Sequence, residues 1–371
     1  MSAEIRSRAP VVSIQYLRGL AALSVALFHT SVNLPSFAWP DFLGREFGDA
    51  GVDVFFVISG FVMLYVAHGA DLTPRTFLLR RAIRIVPLYW VMNIFVVFLA
   101  LVLAMGKTDE LVFSHIAQSM LFLPHFSPSN GIVPFLKPGF TLNYEVYFYC
   151  IFAALLLIES SGRRLAVLTL YGVAAALLFA AADPRTPMLR IYENPIILEF
   201  VAGAWLGYLY VKGALAKIDA RIGLAVLMLG AVGLPLLHIR ESEFQFLWHG
   251  APAALLVGGA LIIEARGRLP QSRILRLVGD SSYSLYLVNA AFLSAFNLVL
   301  LRLHLPVENM AVGAPLVLLG LFGAAVAGYV VYRMIERPAI DRLTRVAFAA
   351  KAPVSRGAAW APGRAESRIG V

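Results

Sequence analysis

The sequence predicts an all-α integral membrane protein of about ten transmembrane helices, with both termini in the cytoplasm. Of its 371 residues, 60% are hydrophobic and 14% are charged, whereas ordinary soluble domains are about 45–50% apolar and about 25% charged. The apolar residues form stretches of the length that crosses a bilayer, about 17–25 residues. Lys and Arg are concentrated in alternate connecting segments. These three observations exclude a water-soluble fold.

The predicted spans follow one another at about 12–33, 51–68, 85–105, 139–158, 165–182, 194–211, 222–238, 248–264, 281–300 and 311–333. Arg18 interrupts the first apolar run and no small-residue cleavage site follows His29, so we expect an uncleaved first span and not a signal peptide. Pro235 and Pro252 are expected to kink the seventh and eighth spans. Residues 346–371 are rich in Ala, Pro, Gly and Arg without periodicity, which predicts a disordered cytoplasmic tail after a transmembrane domain over 1–345.

The basic residues predict the orientation of the chain. With the N-terminus inside, 23 of the 31 Lys and Arg residues fall on the cytoplasmic side and 7 outside, with Arg18 inside the first span. The net charge of +9 therefore indicates membrane topology and not nucleic-acid binding. Cys150 is the single cysteine of the sequence, so no intramolecular disulfide is expected.

Two ionisable residues, Arg18 and His29, lie in the first predicted span. Each costs about 2.5–3.5 kcal/mol to insert, which makes such residues functional candidates. Eleven positions separate them, close to three helical turns, so they share one face about 16 Å apart along the axis. Histidine can accept a proton from a hydroxyl near neutral pH or attack an acyl group. The alternative is an interfacial histidine bonded to neighbouring backbone.

Carboxylates stand near the outer ends of two other predicted spans. Asp53 opens the second span, where it is predicted to orient His29, to cap the helix N-terminus, or both. Glu145 lies one or two turns inside the aromatic fourth span. Because an unpaired carboxylate is expensive there, Glu145 is predicted to pair with an arginine or to accept a substrate hydroxyl.

A basic segment, Arg80-Arg81-Ala82-Ile83-Arg84, leads into the third predicted span. Arg80 and Arg84 are four residues apart and are predicted to form one basic face that grips phosphates. The alternative is a positive-inside anchor, with Tyr89 and Trp90 as an interfacial aromatic belt.

Taken together, these segments resemble the acyltransferase-3 family of membrane O-acyltransferases, from Ser13 to Arg342. Six motifs occur in the family's order: Gln15 to Leu20 with His29 following, Gly51 to Phe61, Arg80 to Tyr89, the Thr-Leu-x-x-Glu-x-x-Phe-Tyr run ending at Tyr149, Ser282 to Leu287, and Glu336 to Pro338. Two positions depart from the family pattern. Phe140 stands where Trp is frequent and Asn289 where His is frequent, and we expect these changes to alter contacts with the acceptor.

The resemblance implies transfer of an acyl group, usually acetyl from cytoplasmic acetyl-CoA, without a metal, to a hydroxyl of a surface glycan or lipid-linked sugar at the bacterial inner membrane. The family positions matching His29 and Arg18 are its essential pair, and those matching Arg80 and Arg84 belong to its second basic motif. Our hypothesis adds that Arg80, Arg81 and Arg84 hold the CoA phosphates, Arg18 lines the acyl path, and His29 is the base or transient acyl carrier. Asp53 and Glu145 would orient His29 or the acceptor.

In form the chain is most similar to the stand-alone members that acetylate exopolysaccharide, O-antigen or Nod-factor sugars. The alternative function is a secondary transporter or flippase for an acylated sugar or another anion. Mid-membrane helix breaks and repeat symmetry would favour it, and no internal repeat is evident in the sequence.

Overall fold

The structure is a computed structural model that describes residues 10–33, 48, 50–69, 72–103, 111–181, 186–192, 194–237, 246–307 and 309–348. Within these ranges the secondary structure is helical and contains no strand. The helices are α1 Val12–Asn33, α2 Gly51–Ala67, α3 Pro74–Leu103, α4 Phe113–Met120, α5 Gly139–Leu155, α6 Ser161–Ala181, α7 Pro187–Tyr192, α8 Ile197–Val211, α9 Ala220–Leu236, α10 Ala251–Ala265, α11 Arg273–Asp280, α12 Ser282–Arg302, α13 Met310–Val331 and α14 Arg337–Phe348. Short π-helical turns, Phe246–Gly250 and Tyr332–Glu336, precede α10 and α14.

Seven of the described helical segments are long and apolar enough to cross a membrane, and α2 and α9 are shorter apolar helices. The fourth predicted span corresponds to α5, which has 17 residues. The chain is therefore a multi-pass membrane protein, and each of the predicted apolar stretches coincides with a helix. The count of ten spans and the orientation stay predictions.

Two helix boundaries differ from those expected. The third span was predicted to begin at about residue 85, but α3 begins at Pro74 because the basic segment is itself helical. Pro252, which was expected to kink a span, lies in the first turn of α10, directly after the π-helical turn Phe246–Gly250. Pro235 does lie inside α9. Helix α14 runs to Phe348, and the rest of the predicted disordered tail lies outside the described residues.

Helix α1 is the central element of the bundle, since it packs against α2, α10, α11, α12 and α13. Its first turn is capped by Glu264 from α10. The Glu264 carboxylate accepts hydrogen bonds from the Val12 and Ser13 amides at 2.7 and 2.8 Å and from Ser13 Oγ at 2.5 Å. Four N-terminal amides of a helix lack intrahelical partners, so this contact fixes where α1 begins.

Helices α2 and α8 approach each other at backbone distance. A Cβ atom on Gly60 would collide with the Phe200 carbonyl, and one on Gly203 would collide with the Val57 carbonyl. The two helices therefore pack through glycines, as close-packed helices in membranes commonly do.

The segment between α3 and α5 folds onto α3. Tyr89 Oη donates to the Ser119 carbonyl at 3.2 Å, and Trp90 Nε1 donates to the Met120 carbonyl at 2.8 Å. Phe122 stacks on the Tyr89 ring with centroids 4.6 Å apart. The aromatic residues predicted as an interfacial belt thus anchor α4 and the turn that follows it.

Candidate active site

A cavity of about 340 Å³ opens between α1, α2, α3, α5 and α12. Its ionisable lining comprises Arg18, Arg81, Arg84, Glu145, Tyr149, Tyr65, Tyr283 and Tyr286, and apolar residues of α1 and α2 form much of the remainder. The cavity therefore combines three guanidinium groups with an apolar wall. An amphipathic anion fits this chemistry.

The basic side of the cavity comes from α1 and α3. Arg81 and Arg84 are three residues apart on α3 and both line the cavity with Arg18. The Arg81 guanidinium lies over the rings of Phe77 and Tyr149, at 5.4 and 5.2 Å from their centroids, and such contacts hold the cation in place.

Arg80 lies apart from this group. Its exposed guanidinium sits over the Phe348 ring of α14, 5.4 Å from the centroid. The arginines of α3 that line the cavity are thus Arg81 and Arg84, and not the predicted pair of Arg80 and Arg84. Spacings of three and of four residues are both close to one helical turn, so the sequence alone did not separate the two faces.

Glu145 of α5 also lines the cavity. Its carboxylate accepts hydrogen bonds from the Tyr149 hydroxyl and, at 3.1 Å, from Ser59 Oγ. In the described structure, the hydrogen-bond donors to Glu145 are therefore hydroxyls and not the predicted arginine, although Arg18 lies near enough to interact electrostatically with it. The Glu145 carboxylate can also accept a hydrogen bond from a hydroxyl of a ligand.

Glu336 belongs to one of the six motifs, but no role was predicted for it from the sequence. It closes the π-helical turn before α14, is 2% exposed, and accepts a hydrogen bond of 2.5 Å from Ser284 Oγ. Arg18 and Arg84 are its electrostatic neighbours. Ser284 and Glu336 belong to two of the motifs found in the sequence, Ser282 to Leu287 and Glu336 to Pro338. The structure joins these two motifs through the hydrogen bond between Ser284 and Glu336.

His29 is paired with Asn289 of α12. The Asn289 side chain is fully buried, and its Nδ2 donates to the carbonyls of Leu285 and Tyr286 at 2.9 and 2.8 Å. Those two bonds direct its Oδ1, which can only accept, towards His29 Nδ1. His29 Nδ1 must therefore carry hydrogen, and the lone pair of the neutral ring resides on Nε2.

His29 lies one helical turn beyond the cavity. Gly19 contacts Gly279 just before α12, and His29 contacts Asn289 ten residues further along each helix. Helices α1 and α12 therefore run parallel. Tyr286, which does line the cavity, precedes Asn289 by three residues, about 4.5 Å of helix rise. His29 is not among the residues that line the cavity in the described structure.

The wall between the cavity and His29 is built around Tyr286. Its hydroxyl is 2.6 Å from Thr141 Oγ1 and 3.2 Å from the Pro138 carbonyl, and its ring meets the Phe55 ring edge-on at 5.7 Å. These contacts tie α5 and α2 to α12 at that height. The site therefore has a basic cavity on one side of the wall and an oriented imidazole on the other.

Asp53 does not contact His29, which corrects the expectation that it orients the imidazole. Its carboxylate is 3% exposed, and Oδ2 lies 3.6 Å from Nδ1 of His249 in the π-helical turn before α10. Asp53 occupies the face of α2 that packs on α8 and α10. Asn289 contacts His29 Nδ1 instead.

Comparison with known proteins adds an independent finding. The model of a family described as an acyltransferase domain matches residues 11–334. The exopolysaccharide production protein ExoZ of Rhizobium meliloti (strain 1021) is 36% identical over 301 residues, which is 80% of this chain and 90% of that relative.

Two further relatives are longer than this chain. The peptidoglycan O-acetyltransferase OatA of Listeria monocytogenes is 26% identical over 314 residues, 76% of this chain and 49% of the relative. The putative peptidoglycan O-acetyltransferase YrhL of Bacillus subtilis is 24% identical over 360 residues, 87% of this chain and 54% of the relative. The chain thus spans about half the length of each of these two relatives. No solved structure matches the chain.

Proposed function

Because the chain belongs to the acyltransferase-3 family and is an O-acyltransferase, we propose that it moves an acyl group from cytoplasmic acyl-CoA to a hydroxyl of a cell-surface or lipid-linked glycan. We propose acetyl as the acyl group, an exopolysaccharide or related polymer as the acceptor, and the bacterial inner membrane as the location. The observation that carries the proposal is a cavity with three guanidinium groups, separated by one wall from an oriented histidine.

The donor end of the reaction is assigned to the basic cavity. Within the described part of the chain, Arg18, Arg81 and Arg84 donate no hydrogen bond to another residue, so their N–H groups remain available to a ligand. Guanidinium groups bind phosphate oxygens in bidentate fashion, and CoA carries phosphates at one end and the thioester at the other. The support is chemical complementarity between this anion and the cavity.

The chemical step is assigned to His29. In the proposed reaction Nε2 of His29 takes the proton of the acceptor hydroxyl as its oxygen attacks the thioester carbonyl. The C–O bond forms, the C–S bond breaks, and the proton passes from His29 to the departing CoA thiolate. A general base contributes about 10²–10⁴-fold to such reactions. The acyl carbon must reach His29 past Tyr286, so the wall has to open once in each cycle.

The acyltransferase reaction is tested on whole cells and with purified protein. Acetyl content of surface polysaccharide is measured in cells with the intact gene, in a deletion strain, and in the deletion complemented with wild type, His29→Ala or His304→Ala. His304 is an exposed histidine beyond α12 and serves as the matched control. Acetylation should be lost on deletion, restored by wild type and His304→Ala, and not restored by equally expressed His29→Ala.

The outcomes separate the rival functions. Unchanged acetylation after deletion would refute the glycan assignment, and full rescue by His29→Ala would refute the mechanism. A transporter or flippase would move its cargo without consuming a thioester. Purified protein in bilayers should therefore release free CoA thiol from acetyl-CoA in proportion to acetyl transferred to added polysaccharide.

A further inference from the structure

Two short helices, α11 and α14, lie at one end of the bundle beside the last two spans. Helix α11 leads into α12, and α14 follows α13 after the π-helical turn. Ser284, in the first turn of α12, donates its hydroxyl hydrogen to Glu336, which ends that turn, so the two helices share one end. No residue of either helix lines the cavity, and the proposed reaction uses neither.

Helix α14 begins where the last predicted span has to leave the hydrocarbon. Helix α13 has 22 residues, about 33 Å of helix, and a hydrocarbon core is about 30 Å thick. Large apolar side chains of α13 are exposed, as contact with lipid requires, with Leu318 at 66% and Phe322 at 68%. A π-helical turn of five residues separates α13 from α14. This length puts α14 at the depth of the lipid headgroups.

The exposed surface of α14 carries apolar and cationic side chains next to each other. Leu343 and Val346 are 40% and 79% exposed, and the residue before each of them is an exposed arginine, Arg342 or Arg345. Residues three apart in a helix are neighbours on its surface. The two apolar side chains and the two arginines therefore form adjacent strips, the arrangement of helices that lie in a membrane interface.

Positive charge predominates on α14. Its acidic residue, Asp341, lies 4.0 Å from Arg337, and both side chains are exposed. Among the described residues, Arg342 and Arg345 have no acidic partner, and Arg345 Nε donates to the backbone carbonyl of Asp341 at 3.2 Å. Three arginines against one aspartate give this helix a surface that attracts anions.

Helix α11 repeats the pattern. Ile274 and Leu277 are 73% and 40% exposed, and Arg273 and Arg276 are exposed beside them. Another side of the helix packs on α1, where Gly279 meets the α1 backbone. Two helices at one end of the molecule thus present arginines beside apolar side chains.

We propose that α11 and α14 form a binding surface for anionic phospholipids of the adjacent leaflet. The arginines bind the lipid phosphates, and the exposed apolar side chains enter the outer part of the acyl-chain region. Lipid is the occupant because α14 continues from a lipid-exposed span, so headgroups surround it, and their phosphates carry the charge opposite to that of the arginines. The surface is independent of the proposed acyl transfer.

The test identifies the lipid beside α14 in the full-length protein, reconstituted in nanodiscs of phosphatidylcholine. In a Cys150→Ser background, a bimane fluorophore is attached to Thr344→Cys, an exposed position of α14. Its quenching is measured with nitroxide-labelled phosphatidylglycerol and with phosphatidylcholine that carries the same label. Phosphatidylglycerol should associate about fivefold more strongly, the ratio given by about 1 kcal/mol from one engaged arginine.

Two comparisons locate the preference. Arg342→Gln combined with Arg345→Gln should remove most of it at Thr344→Cys. The fluorophore on Met310→Cys, at the opposite end of α13 and with no arginine within one helical turn along the sequence, should show a lower ratio. All substituted residues are exposed, so the variants should fold.

Equal quenching by the two lipids at Thr344→Cys would overturn the proposal and leave the arginines as topology determinants. Quenching by neither lipid would also overturn it, because something other than lipid would then cover α14. A preference that persists in the double arginine variant would place the anionic lipid elsewhere. None of these measurements requires acyl-CoA or a glycan.

Discussion

At the scale of single residues, the orientation of His29 depends on an amide. Asn289 cannot accept or donate a catalytic proton, but its two bonds to the α12 backbone fix which atom faces the imidazole. The acceptor oxygen holds the hydrogen of the imidazole on Nδ1 and leaves the basic electron pair on Nε2. In the Ser-His-Asp triads of hydrolases a carboxylate supplies this control of the tautomer.

Asn289→Leu should lower the rate of acyl transfer by roughly fivefold, because a hydrogen bond of this kind contributes about 1 kcal/mol and about 1.36 kcal/mol is a factor of ten in rate. The rate is measured as thiol release with saturating acetyl-CoA. Asn289→His, which places a ring nitrogen where the amide oxygen accepts the hydrogen bond, should retain most of the activity. Equal rates for Asn289→Leu and wild type would show that the contact does not orient the catalytic ring.

Arg84→Gln should raise the KM for acetyl-CoA by about 10–100-fold, since a hydrogen bond to a charged group contributes about 1.5–3 kcal/mol. Arg80→Gln is the matched control, because Arg80 belongs to the same motif but lies over Phe348 and not in the cavity. Its KM should stay within about threefold of wild type, as expected for an exposed charge. Equal increases in both variants would contradict the assignment of the phosphate site.

The sequence predicted most candidate residues but not their neighbours. Arg18, Arg84 and Glu145 were singled out as ionisable groups in apolar segments, and the structure brings them to one cavity. Asp53 was also singled out, and its depth was compatible with His29. Which side of α2 it occupies depends on the packing of α8 and α10, and no local pattern encodes that. Asn289 carried no charge and so gave no signal of its own.

At the scale of the helices, glycines determine which elements can touch. Gly60 and Gly203 let α2 and α8 meet backbone to backbone, and this contact holds Asp53 and Glu199 at one height. Gly203→Ala should lower the stability of the protein by about 1–3 kcal/mol, the usual cost of overpacking. The measurement is the thermal unfolding midpoint of the detergent-solubilised protein.

Gly162→Ala is the comparison for that variant. A Cβ atom on Gly162 would lie 3.5 Å from the Tyr208 hydroxyl, an ordinary contact, and alanine in place of helical glycine stabilises by roughly 0.5–1 kcal/mol. Its midpoint should be unchanged or higher. A midpoint for Gly203→Ala equal to that of Gly162→Ala would show that α2 and α8 are not in backbone contact.

The two π-helical turns are the helical elements that the sequence did not predict. Hydrophobic periodicity predicts helices but not a turn with one extra residue, and such turns are frequent at functional sites. One of them carries His249 and the other ends at Glu336, which Ser284 contacts. In the sequence, Glu336 lies just after the tenth predicted span. Its burial follows from long-range packing against α12.

At the scale of the whole molecule, the apolar stretches were sufficient to predict a helical membrane bundle, because each backbone group in a bilayer needs an internal partner. The charge asymmetry predicts the side on which each loop lies. In a Cys150→Ser background, Ser129→Cys should react with a membrane-impermeant maleimide on intact spheroplasts. Arg163→Cys should react only after permeabilisation. Both positions are exposed in the structure, so the reverse pattern would invert the topology.

The wall around Tyr286 bears on the energy supply of the cell. A donor site that opens to the cytoplasm and an acceptor site that opens to the exterior would form a continuous pore if nothing stood between them. Protons would then flow down their gradient at each turnover and lower the proton-motive force. In the proposed reaction, the contacts of Tyr286 with Thr141 and Phe55 close the wall between turnovers, so the membrane would stay electrically insulating except while the acyl group passes.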